Sequence, residues 1–165
     1  MKHTLLSIIN CCINMFPETR LYKFKTFLLK LAGVRIGKNV RICSSVKIIG
    51  SGELSIGDNT WIGPQVLISA SSEIVIGKNV DIAPRVTLVD GSHLIDHYGA
   101  HLAGKGTCEP IYIGDGSWIC ACSLLLGGTK LEAKTLVAAG AVVRGGSYEG
   151  NSMIGGVPAK FIKSI

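Results

Sequence analysis

Three of the chain's four histidines, His93, His97 and His101, fall within one stretch of nine residues. An imidazole titrates at about pH 6.5, so it can take a proton from a hydroxyl or ligate a metal. The three stand four residues apart, a spacing that lines one helix face and could hold zinc. Asp90 and Asp96 lie close in sequence, and Asp81 a little before them; any of these carboxylates could orient an imidazole. The six cysteines, at 11, 12, 43, 108, 120 and 122, include an adjacent pair and a one-apart pair but no CxxC. They read as small buried residues in a reducing compartment, and not as disulfides or zinc ligands. The net charge is +6, from 17 Lys and Arg against 11 Asp and Glu. It fits a solubilising surface or an anionic partner: a phosphate-bearing cofactor, an acidic saccharide or a membrane. No dense basic run interleaved with aromatics is present, which argues against nucleic acid.

The elements that position these groups announce themselves by a repeat. Ile36, Ile42 and Ile48 recur in steps of six, as do Ile56, Ile62 and Ile68, then Ile76, Ile82 and Leu88. After a gap come Ile113, Ile119, Leu125, Leu131, Val137 and Val143. Two places before each, from Val34 to Ala141, the residue is again apolar or small. A separation of two puts both side chains on one face of a strand, so each step is a very short strand and a turn. Ile36-Gly37-Lys38-Asn39, Ile56-Gly57-Asp58-Asn59, Ile76-Gly77-Lys78-Asn79 and Ile113-Gly114-Asp115-Gly116 are copies of one corner, built from residues that tolerate sharp turns. Three steps close a triangle. The pattern predicts an all-β prism of about five stacked coils, about 24 Å tall.

From Leu88 to Ile113 the chain advances 25 positions where the repeat allows six or eight. About 17 residues must therefore leave the prism as a loop, and this loop holds the three histidines. Upstream, the apolar residues 5, 8, 9, 12, 13 and 16 keep helical spacing, over a stretch too short to cross a bilayer. No signal-peptide cleavage site precedes Pro17. A second helix is expected over 17–31, with Leu21, Phe24, Leu28 and Leu31 on the side that closes the open end of the prism. Arg20, Lys23, Lys25 and Lys30 add charge that suits a membrane surface, so peripheral contact through residues 1–31 is a further expectation. The chain divides into N-terminal amphipathic helices over 1–32, a prism over 33–154 with an excursion over 90–110, and a tail over 155–165.

These residues resemble the hexapeptide-repeat acetyltransferases, in particular the surface-polysaccharide O-acetyltransferases. The likeness rests on the repeats, Gly91-Ser92-His93, the run Pro110 to Ile119 ("PIYIGDGSWI"), the terminal "GGVPAKFIKSI" and a leading segment from Pro17 to Val40. It covers about residues 17–165. The resemblance implies a left-handed parallel β-helix, a homotrimer with sites between subunits, and acetyl-CoA bound along the coils after the loop. It implies a cytoplasmic enzyme, acting on a saccharide or lipid-linked saccharide, with no metal. By its "GSH" context His93 corresponds to the family's general base. Trp118 would wall the pantetheine path, Ala121 and Ala139 would leave room for it, and Arg144, Lys160 and Lys163 would meet its phosphates. Gln65, Asp81 and Asp96 are expected near the acceptor.

The chain departs from the family pattern at several points. Cys120 replaces a glycine, Leu131-Glu132 replaces an "IG" start, and Gly145-Gly146-Ser147-Tyr148 replaces a Pro-rich stretch. Gly63 stands where galactoside acetyltransferases carry an acceptor-binding Asn, so simple galactosides are not the expected acceptors. Alternative readings are N-acetyl transfer to an amino-sugar nucleotide, a zinc hydratase of the same fold, and a trimeric scaffold without catalysis.

Overall fold

The computed structural model describes residues 1–165. Two helices, α1 (His3–Asn14) and α2 (Tyr22–Leu31), precede a solenoid of short parallel strands. Three sheets form its faces. Face 1 stacks Arg35–Ile36, Glu53–Ile56, Glu73–Ile76, Ile111–Ile113, Thr129–Leu131 and Gly146–Tyr148. Face 2 stacks Arg41–Ile42, Trp61–Ile62, Asp81–Ile82, Trp118–Ile119, Thr135–Val137 and Ser152–Gly156. Face 3 stacks Lys47–Ile49, Leu67–Ser69, Thr87–Val89, Leu124–Leu126 and Val142–Val143. The chain thus winds through five full coils and enters a sixth. The last strand, Ala159–Ser164, turns back antiparallel along Ser152–Gly156, so residues beyond 154 extend and close face 2.

The six-step register is the core. Ile42, Ile48, Ile56, Ile62, Ile68, Ile76, Ile82, Leu88, Ile113, Ile119, Leu125, Leu131, Val137 and Val143 are all buried, and Ile36 is half-buried. Every residue of the second set, from Val34 to Ala141, is buried as well. In the upper coils Ser117, Ser123, Thr129 and Thr135 of that set are hydroxylic, and oxygens turn back onto the corners: Ser123 Oγ donates to the Cys120 carbonyl at 2.8 Å and Thr135 Oγ1 to the Glu132 carbonyl at 2.8 Å. No buried side-chain nitrogen or oxygen is left without a partner.

The corner residues divide the work. Asn39, Asn59 and Asn79 take the left-handed conformation, with φ of 55°, 59° and 54°. Their amides hydrogen-bond up the stack, at 3.2 Å and 3.1 Å. The glycine before them is needed for closeness: a Cβ on Gly57 would stand 2.5 Å from the Gly77 carbonyl carbon.

Leu6, Ile9 and Ile13 of α1 and Leu29 of α2 join the core and close the N-terminal end of the prism. The side of α2 that packs inward is not the one expected. Leu21, Phe24 and Leu31 face solvent, Leu28 is half-buried, and Lys25 and Leu29 face the prism. Lys25 can occupy that position because its ammonium reaches the Glu18 carbonyl and Ser44 Oγ. The cysteines also depart from expectation: Cys43 is buried, but Cys11, Cys108 and Cys122 are exposed. The latter three sit on α1, the excursion and an outer corner, where the six-step register dictates nothing.

Candidate active site

The excursion is a β-hairpin. Gly91–Ile95 pairs antiparallel with Ala103–Cys108, setting Gly91 beside Cys108 and His93 beside Gly106. It leaves the prism at the edge between faces 3 and 1. Its root is clamped by Asp90, a buried carboxylate that accepts the Ser71 and Ser72 N–H groups at 2.7 Å each and Ser72 Oγ at 3.1 Å. Three donors on one buried carboxylate tie the exit point to the coil below.

Beyond that root, His93 Nδ1 lies 2.9 Å from the Gly104 carbonyl oxygen. A carbonyl only accepts, so Nδ1 carries a proton, and in the neutral form of the ring Nε2 is the acceptor. This carbonyl stands where a carboxylate was expected. Asp96 closes its own turn instead, accepting from the Tyr98 and Gly99 N–H groups at 3.0 Å and 2.9 Å, which hold its carboxyl below the usual range. Asp81 lies on face 2 and Asp90 is engaged as described. His93 borders an open cleft of about 430 Å³ with Ser69, Ser71, Ser92, Thr107 and Cys108. His97 and His101 sit in the turn at the hairpin tip, so their four-residue spacing aligns nothing. No three His, Cys, Asp and Glu side chains gather to hold a metal ion. Around the tip, Leu94, Ile95, Tyr98 and Leu102 are exposed, with nothing in the chain to cover them.

Trp118 stands elsewhere. Register across face 2 places Trp61, Asp81, Trp118, Leu136, Met153 and Lys163 in one outward row. From Trp118 onward this row offers an indole, two apolar side chains and a cation in sequence. Lys160 lies on the same terminal strand, beside Gly155. Ala121 and Ala139 stack on the edge between faces 2 and 3, where Gly140 N donates to the Ala121 carbonyl at 3.0 Å. Gln65 shares that edge and accepts from Arg85 Nε at 2.7 Å. Arg144 is separated from all of these. It lies at the hairpin root, in a cleft with Ser92, Cys108 and Glu109.

The fold therefore gathers Asp81, Trp118 and Lys163 on one face, and places Gln65, Ala121 and Ala139 on the next edge. His93 and Arg144 go to the edge opposite that face. Within one chain His93 and Trp118 cannot meet, although both stand at the height of the third and fourth coils. Sequence reasoning missed Gly104, Leu136 and Met153. The last two are readable by counting along the repeat from Trp118. The role of Gly104 depends on hairpin pairing, for which the sequence carries no signal.

No family model matches the chain. A candidate colanic acid biosynthesis acetyltransferase, WcaF of Escherichia coli (strain K12), is 36% identical over 139 residues, spanning 84% of this chain and 74% of its own. Among solved structures, a hexapeptide-repeat acetyltransferase of Vibrio cholerae in complex with acetyl-CoA has a TM-score of 0.76 at 23% identity, covering 98% of this chain and 86% of its own. A galactoside acetyltransferase in complex with coenzyme A has a TM-score of 0.77 at 23% identity, covering 99% and 80%. The structures share the fold; the WcaF likeness, over most of both chains, carries the kinship. The chain belongs to the hexapeptide-repeat acetyltransferases, a family of acetyl-CoA-dependent acyltransferases.

Proposed function

We propose that the protein transfers acetyl from acetyl-CoA to a saccharide hydroxyl in surface-polysaccharide biosynthesis, with His93 as general base. The observation that carries this reading is the His93 imidazole, fixed at Nδ1 by the Gly104 carbonyl beside an open cleft. A sugar hydroxyl is a poor nucleophile until its proton is taken as the new bond forms. Nε2 accepts that proton while the hydroxyl oxygen attacks the thioester carbonyl. The C–S bond then breaks, and the imidazolium returns the proton to the departing thiolate. Acetyl ester and free CoA are the products, and no acyl-enzyme forms.

CoA fits the outward row of face 2. Trp118, Leu136 and Met153 would line its pantetheine arm, Ala121 and Ala139 leave the adjoining edge open, and Lys163 and Lys160 would meet phosphate. Because that row and His93 lie on opposite sides of one prism, the working site combines the hairpin of one copy with face 2 of a neighbour. Both halves stand at the same height, so the contact is a pure rotation about an axis along the prism, which closes into a ring. A triangular prism suits a homotrimer, with the exposed Leu94, Ile95, Tyr98 and Leu102 covered at each contact. In this reading Arg144, at the hairpin root, faces the acceptor side of the cleft, and Asp81 and Gln65 belong to the neighbour's half. The enzyme works where acetyl-CoA is made, in the cytoplasm, on a free or lipid-linked saccharide. WcaF, whose name places it in colanic acid biosynthesis, supports this acceptor class.

The test is a panel of sugar alcohols, oligosaccharides and amino-sugar nucleotides incubated with acetyl-CoA and read by mass spectrometry. Acetyl esters on hydroxyls are expected. Acetyl amides alone would overturn the O-transfer reading.

A further inference from the structure

The N-terminal end of the prism carries a surface that acetyl transfer does not use. α2 departs from an ordinary surface helix: it buries Leu29 as expected, but most of its large apolar side chains point outward. Its inner side holds the fully buried Lys25, which donates to the Glu18 carbonyl at 3.0 Å and Ser44 Oγ at 3.1 Å and lies 4.8 Å from the Tyr22 ring centroid. Its outer side shows Phe24, Phe27 and Leu31, which are 46%, 55% and 50% exposed. These recur at i, i+3 and i+7, one stripe of a helix, flanked by the exposed Lys23 and Lys30. α1 adds Ile8 at 62% exposure, and Met15, just past its end, is 84% exposed. Phe16 links the two helices, its ring meeting that of Phe24 edge-on at 5.6 Å.

Charge selects the partner. Residues 1–34 contain five Lys and Arg against one acid, Glu18, and so hold four of the chain's six net positive charges. Glu18 is turned away, onto Ser45. A second copy of this face would oppose cation to cation. An anionic bilayer offers phosphates to Arg20, Lys23 and Lys30 and an acyl boundary to the aromatic rings. No helix is long and apolar enough to cross a membrane, so attachment would be at the surface.

We propose that the helical base docks on an anionic lipid surface, with Met15, Phe24, Phe27 and Leu31 in the interface and Arg20, Lys23 and Lys30 at the headgroups. The docking face stands on its own. Its multiplication by three rests on the ring argued above, because rotation about the prism axis points every base the same way and couples the contacts by avidity. Hairpins two to three coils above the base then work about 10–15 Å above the first coil, within reach of a saccharide carried by a lipid.

The test is co-sedimentation of the full chain with phosphatidylcholine vesicles, with and without phosphatidylglycerol. Binding only when phosphatidylglycerol is present, and release by salt, are expected. The double variant K23E/K30E should weaken it about tenfold or more, and F24S/F27S comparably, while circular dichroism and thermal midpoint report a folded chain. Absence of binding to the anionic vesicles, or equal binding by wild type and K23E/K30E, overturns the proposal. So does loss of oligomer by F24S/F27S in sedimentation velocity, which would make this face a contact between copies. His93→Ala should bind vesicles as the wild type does, so a failure of the catalytic assignment leaves this result standing.

Discussion

His93 Nδ1 and the Gly104 carbonyl oxygen face each other at 2.9 Å across the two strands of the hairpin. The contact fixes both the ring's orientation and its tautomer, since the oxygen can only accept. Nε2 is left as the one imidazole nitrogen able to receive a proton. Replacing His93 with Ala should leave the prism intact, because the side chain supports no part of the core. Turnover should fall by about 10²–10⁴, the usual value of a positioned base, with CoA affinity unchanged. Steady-state kinetics with calorimetric CoA binding checks both halves.

Gly104 tests the tautomer lock. A Cβ there would stand 2.8 Å from the Asp96 Cβ and 3.1 Å from the Leu94 carbonyl oxygen, so the strand must shift. Gly104→Ala should lower kcat about tenfold or more with little change in KM for acetyl-CoA, since the imidazole loses its aim while face 2 is untouched. The pH profile should shift with it. An unchanged profile and unchanged kcat would remove Gly104 from the account.

Asp90 holds the hairpin root through three donors. Asp90→Asn replaces one accepting oxygen with an amide that must point at an N–H group. The variant should lose about 2–3 kcal/mol of stability, enough to lower the thermal midpoint by several degrees. Differential scanning calorimetry gives the value. Activity per folded molecule should fall as well, because the hairpin exits from this residue.

Lys25 supplies a pH signature for the base of the prism. Burial lowers its pKa from the usual 10.5, with nearby Cys43 and Glu18 opposing the shift. Between that lowered value and 10.5 the unfolded chain binds more protons at this site than the folded one. Stability therefore rises with pH across this window, and the cost of burying the charge is fully present below it. Chemical denaturation of the wild type should show this rise, and Lys25→Met should lack it. Parallel pH dependences for the two proteins would contradict the assignment.

The prism was legible because its register is periodic and one-sided. Each Ile, Val or Leu at a six-residue step turns to the interior, so the register from Ile42 to Val143 meets a buried environment each time, and only Ile36, at the open end, is half-buried. The side of α2 was not legible, because Phe24 and Lys25 are adjacent and the choice between them is made by the Glu18 carbonyl and Ser44, which only the folded chain supplies. The Gly91-Ser92-His93 context singles out His93 as a candidate, but nothing in the sequence points to the group its ring meets. A backbone carbonyl is present at every residue, and only the pairing of Gly91–Ile95 with Ala103–Cys108 decides which one arrives at Nδ1. The separation of His93 from Trp118 follows from the repeat, since positions on a three-sided coil can be assigned to faces by counting.

The claim that each site is shared between copies is tested most directly by mixing two inactive variants. His93→Ala removes the proposed base from its own hairpin, and Ala139→Trp fills the edge beside face 2 where CoA is proposed to lie. After subunit exchange, contacts pairing an intact hairpin from one variant with an intact face from the other form at about a quarter of all interfaces in an equimolar ring. Release of CoA thiol with a saccharide acceptor should then recover to about a quarter of the wild-type rate. Exchange without recovery would contradict the shared site, and with it the pairing of His93 with a groove on face 2.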